Sequence, residues 1–147
     1  MTHATTTISQ PGDTTARSVL ERLARLALCA AFIQGPIAKI ADFPGAIAEM
    51  EHFGLRPPAL FAACVIVFEL VCSAMIVSGV KRRPAALALA AFTLAATFLA
   101  LRFWEMEPGM ARQMAANAFF EHIGLVGAFA LVASPGRQDR KAGEDHP

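Results

Sequence analysis

Residues 58–80, PALFAACVIVFELVCSAMIVSGV, form an apolar run broken by one acid, Glu69, near its middle. As a helix rising about 1.5 Å per residue, the run crosses the roughly 30 Å hydrocarbon core of a bilayer. Glu69 then lies about 16 Å from the outer end, taking Pro58 as that end. An ionisable group at that depth costs roughly 3 kcal/mol even on the most lenient insertion scale, so it is expected to turn toward other helices and find a partner there.

Composition points the same way. Of the 147 residues 55% are hydrophobic and only 17% charged, and a mean hydropathy of +0.47 is too apolar for a soluble domain of this length. The length suits one domain. A net charge of +1 lacks the basic excess of a nucleic-acid binder, so the expected partner is the lipid bilayer and not nucleic acid. Cys29, Cys64 and Cys72 all fall in apolar runs with no CxxC pair, and read as small buried hydrophobes.

Residues 1–16 (MTHATTTISQPGDTTA) are Thr-rich, show no apolar period and read as a disordered tail. The membrane domain is expected over 17–136, with spans at about 19–41, 58–80, 85–104 and 115–133, and a polar tail over 137–147. A cleavable signal peptide is the rival reading of the first span. The long polar lead, and Lys39 inside the stretch 38–41 that loosely resembles a small-residue cleavage site, argue against it. Within this span Gly35-Pro36 is expected to break the helix, because Pro36 offers no N–H to the carbonyl of Phe32. Ala27, Ala31, Gln34 and Ala38 share one small, polar face that suits packing against other helices. The loop 42–57 frames a short amphipathic turn with Ile47, Met50 and Phe53 at three-residue spacing, and its Glu49, Glu51 and His52 read as a solvated face. The third span is alanine-rich and ends at Arg102 and Trp104, near the interface. In the fourth, Asn117, Glu121, Gly124 and Ala128 share a face expected to pack inward.

The reading is therefore an all-α polytopic membrane protein, a four-transmembrane-helix bundle. Nine of the thirteen Lys and Arg (Arg17, Arg22, Arg25, Lys81, Arg82, Arg83, Arg137, Arg140, Lys141) flank one side, which places both termini in the cytoplasm. The polar residues of the spans then gather in the outer half. Lys39 and Arg102 lie about a turn or less from the outer surface with Asn117 at similar depth, Gln34, Glu121 and His122 about two turns down, and Glu69 deepest. They either satisfy one another as a staple, such as Glu69 with Arg102, or line a pocket that binds a polar headgroup and moves protons. In the pocket reading Glu69 and His122 are the catalytic candidates, and Gln34, Lys39, Arg102, Asn117 and Glu121 the binding ones. No metal site is expected, since the ligand types lack i, i+3 or i+4 spacing, and paired axial histidines for a heme are missing from the spans.

The order of FIQGPIAKIADFPG, HFGLRPP, FELVCSAMIVSGVKRR and FFEHIGLVGAFALV, over about residues 20–136, resembles the DoxX family of small four-helix membrane proteins. Gly35 and Lys39 match the glycine and lysine closing the family's first helix, and Glu69 matches the acid of its second. Cys72 and Ser73 stand where glycines are common, and the region of Arg102 and Trp104 replaces a histidine near the end of the third helix. The resemblance implies a multi-pass protein of the cell inner membrane. It also implies a quinone-linked or redox-associated subunit, as in thiosulfate:quinone oxidoreductase, with a quinone as the non-covalent cofactor and a redox protein as partner. A non-catalytic accessory or scaffold subunit is the alternative, and a homo-oligomer fits either reading. A small-molecule carrier is argued against by the wholly apolar inner halves of the helices.

Overall fold

The computed structural model describes residues 11–134, with side chains from residue 16 onward. All regular structure among them is helical: α1 (Pro11–Ala41), α2 (Phe43–His52), α3 (Pro58–Ser78), α4 (Arg82–Ala100), a single 3₁₀ turn (Phe103–Glu105) and α5 (Met110–Ala133). Four segments are long and apolar enough to cross a membrane: Ala16–Ala41, Pro58–Ser78, Arg82–Glu105 and Met110–Ala133. The expected four-span, all-α architecture is thus present. The tail expected over 137–147 and the first ten residues of the one expected over 1–16 lie outside the described residues. Residues 11–16 of the latter are helical. Proline's fixed φ suits the first helical position, and a span already nucleated downstream adds further turns at one hydrogen bond per residue.

The chain punctuates itself with local chemistry. Asp42 caps α2, its side chain accepting from the Gly45 N–H at 3.0 Å, and Pro44 occupies the first turn. α3 ends at Gly79, whose φ of 83° is the left-handed conformation glycine adopts without strain, and Lys81, at φ 46°, starts the return into α4. α1 packs along α3, α3 along α4 and α4 along α5. Phe32 of α1 meets Phe129 of α5 edge-on, ring centroids 5.3 Å apart. In lipid this association gains little from the hydrophobic effect and relies on close contact, which small residues allow. Ala85, Ala86 and Ala90 of α4 accordingly join Cys29, Cys72, Ile76, Leu89 and Phe129 in the core far from α2. α2 lies against the start of α3 through Ala46, Met50 and Ala62.

Several expectations are corrected. Cys29 and Cys72 are buried as expected, but Cys64 is exposed on α3. α1 is continuous through Pro36, whose ring is fully buried; the helix gives up one hydrogen bond there but does not break. The face of Ala27, Ala31, Gln34 and Ala38 is exposed, and α1 buries Cys29, Phe32 and Pro36 instead. Likewise Asn117, Glu121 and Gly124 lie on the outer side of α5 with Ala128 at its margin, while Phe129 and half-buried His122 and Leu125 face inward. The reason is common to both helices. Lipid and bundle interior are equally apolar, so small or polar residues do not by themselves say which side a face takes, and the bulky aromatic pair Phe32–Phe129 decides it.

Candidate functional site

Five helices deliver side chains to one cavity of about 430 Å³ at the α2 end of the bundle. The last turn of α1 places Lys39 there. α2, folded back by its Asp42 cap, lays Glu49 across the opening, where the Lys39 ammonium donates to the Glu49 carboxylate as a salt bridge. Deeper in, Glu69 of α3 lines the cavity with only 9% of its surface exposed. Lys39 and Glu49, charges of opposite sign, are the groups acting on it electrostatically. The walls are apolar, with Phe32, Met50, Phe61, Phe92, Leu99 and Leu125 prominent.

α4 and α5 complete the site with a hydroxyl ladder. The Thr93 hydroxyl, also in the cavity wall, donates to the Leu89 carbonyl at 2.7 Å, and the Thr97 hydroxyl donates to the Thr93 carbonyl at 2.6 Å. Such back-bonding satisfies a threonine inside an apolar helix without a distant partner. Thr97 Oγ1 in turn lies 3.0 Å from Nδ1 of His122, which lines the cavity from α5.

Of the residues singled out in the sequence, Lys39, Glu69 and His122 therefore converge. Gln34 does not: it sits in a shallow groove on the outer side of α1. Arg102 lies just past the end of α4, exposed and paired at 3.3 Å with Glu105, so it supplies no staple to Glu69. Asn117 and Glu121 stay on the exposed side of α5. Glu49, Thr93 and Thr97 were missed. Glu49 shares a helix turn with exposed acids and looked solvated, although its spacing of ten residues from Lys39 across an Asp-Phe-Pro helix start was the available clue. The signal for the threonines was their i, i+4 repeat, two hydroxyls on one face of an otherwise alanine- and leucine-rich span.

Cavity and ion pair can bind an amphiphile with an apolar body and one or two polar oxygens: the walls supply dispersion, Lys39 a donor, and Glu69 and His122 groups able to exchange protons. The DoxX family profile matches residues 21–102, a stretch that contains Lys39, Glu49, Glu69, Thr93 and Thr97 and stops before α5. The chain is also similar to Inner membrane protein YphA of Escherichia coli (strain K12), 31% identical over 121 residues, which cover 82% of this chain and 86% of that protein. No solved structure matches significantly. With its family profile spanning more than half the chain, a relative aligned over most of it and four membrane-crossing helices, the protein belongs to the DoxX family of integral membrane proteins.

Proposed function

We propose that the protein is a redox-associated subunit of the inner membrane that holds a quinone headgroup in the cavity at the α2 end. The observation that carries this reading is the convergence of Lys39, Glu49, Glu69 and His122, from four different helices, on one apolar space of about 430 Å³. A quinone needs apolar walls for its ring, a donor for a carbonyl oxygen and groups that exchange protons with it. Phe32, Phe61, Phe92 and Leu99 suit the first, Lys39 the second, and Glu69 with His122 the third. The ring would carry the electron chemistry, and a partner protein or a bound reductant would supply the electrons. This chain's own residues orient the ring and hold protons at the Glu69 carboxylate and the His122 imidazole. The name of the Escherichia coli relative supports the inner-membrane location.

Saturable binding of a tritiated decyl-quinone to the protein purified from native membranes is the test. Binding is expected to weaken in Glu69→Ala, which loses the polar group at the cavity floor, and in His122→Ala, which removes part of the cavity wall. If no saturable binding occurs, alone or with copurifying proteins, the reading gives way to that of an accessory subunit. A specific observation favours this second role: Asn117 and Glu121, a turn apart on the exposed side of α5, place hydrogen-bonding groups where another membrane helix would satisfy them. Under that reading Asn117→Leu with Glu121→Leu loses a copurifying partner while Glu69→Gln keeps it.

A further inference from the structure

The geometry points to a preference of the cavity for the reduced, hydroxyl-bearing ligand over the oxidised one, because Thr97 holds His122 in the tautomer whose Nε2 can only accept. The preference rests on the quinone reading; the tautomer assignment does not.

The argument follows one proton. Thr97 Oγ1 lies 2.6 Å from the Thr93 carbonyl oxygen. A carbonyl oxygen has no proton to give, and two oxygens so close without a hydrogen between them would repel, so the single Thr97 hydroxyl proton lies on that line. The same oxygen is 3.0 Å from His122 Nδ1. With its proton already committed, Thr97 can meet the imidazole only as an acceptor, and the hydrogen of that contact belongs to Nδ1. A neutral imidazole carries one N–H, so Nε2 is left with its lone pair. Among the described residues Nε2 has no hydrogen-bond partner, and the buried, unsatisfied side-chain atoms there consist of Ser73 Oγ alone, so Nε2 is not sealed off. Thr93 cannot release the lock, since its own hydroxyl is spent on the Leu89 carbonyl at 2.7 Å.

The consequence for the ligand is direct. A quinone presents two carbonyl oxygens, both acceptors, and an acceptor facing the Nε2 lone pair gains no hydrogen bond. A hydroquinone or other phenol presents an O–H that Nε2 accepts. The remaining polar groups of the cavity do not discriminate. The Lys39 ammonium gives one of its three N–H groups to Glu49 and can donate another to an oxygen of either oxidation state. Glu69 serves either oxidation state, accepting as a carboxylate and donating as an acid. Thr97 is thus a positioning residue, which reaches the ligand only through His122.

Two measurements test this. In a variant keeping His122 as its sole histidine (His3, His52 and His146 replaced by Gln), ¹⁵N nuclear magnetic resonance at pH 8.5, above the usual imidazole range, reads which nitrogen carries the proton. The expected spectrum shows Nδ1 protonated, with loss of that single tautomer in Thr97→Val and its retention in Thr97→Ser. A protonated Nε2 in the parent overturns the assignment. At the same pH, under anaerobic conditions, a decyl-hydroquinone should bind about tenfold tighter than its dimethyl ether and the matching quinone, the worth of one hydrogen bond. The ratio should fall toward one in both Thr97→Val and His122→Phe. Equal affinities in the parent, or a ratio unchanged in Thr97→Val, overturn the preference. Absence of saturable binding by every analogue overturns the quinone reading and the preference with it, while the tautomer is still decided by the spectrum.

Discussion

Lys39 faces two carboxylates and is committed to one. Its salt bridge is with Glu49, and both side chains are partly exposed, at 21% and 44%, so solvent and headgroups screen the pair. A double-mutant cycle of Lys39→Met and Glu49→Gln, read by reversible unfolding in mixed micelles, should give a coupling of about 1 kcal/mol or less. The cycle of Lys39→Met with Glu69→Gln should give a smaller one, and a larger value there would mean that Lys39 serves Glu69 first. Arg102→Ala should cost less than about 0.5 kcal/mol, since its pairing with Glu105 is solvent-exposed on both sides. This corrects the expectation that Arg102 staples Glu69. Depth along the spans was legible in the sequence, and it is why Lys39, Glu69 and His122 were found together. Azimuth around each helix was not: α4 ends at Ala100, and Arg102 just beyond it is exposed and paired with Glu105.

Elements differ in how far sequence dictates them. Apolar runs of span length announce helices α1, α3, α4 and α5, and Asp42-Phe-Pro announces α2. What stays hidden is which stripe of a membrane helix turns inward, because the hydrophobic period that orients a soluble helix has no counterpart when both surroundings are apolar. Substitutions at the exposed Gly124 of α5 and at the turn glycine Gly79 would show the difference. A Cβ at Gly124 meets nothing within 4 Å, so Gly124→Ala should leave stability unchanged or raise it by up to about 1 kcal/mol, the helix-propensity gain. Gly79→Ala meets only ordinary contact with Arg25, 3.5 Å away, but forces a side chain into φ 83°, and should cost roughly 1 to 2 kcal/mol. Thermal unfolding in detergent distinguishes the two. A large loss at Gly124 would instead mean that another chain packs on that face of α5, as the accessory-subunit reading requires.

At the scale of the whole molecule, the side of the membrane on which the cavity opens decides where its protons go. Lys39, Glu49 and the start of α3 lie at one end of the bundle. The Gly79–Lys81 turn, packed near Arg25, lies at the other and carries Lys81, Arg82 and Arg83. Basic residues concentrate on this second end, and from the positive-inside bias we propose that the turn lies in the cytoplasm and the cavity in the opposite half of the bilayer. The proposal is testable with single cysteines in a background where Cys29, Cys64 and Cys72 are replaced by alanine or serine. Cysteine at Glu51, exposed at the end of α2, or at Glu107, exposed between the 3₁₀ turn and α5, should react with an impermeant maleimide in intact cells. Cysteine at exposed Lys81 should react only once the membrane is opened. The reverse pattern would turn the bundle over. Glu69 and His122 would then exchange protons with the cytoplasm, and a partner supplying electrons to the cavity would have to sit on the cytoplasmic side.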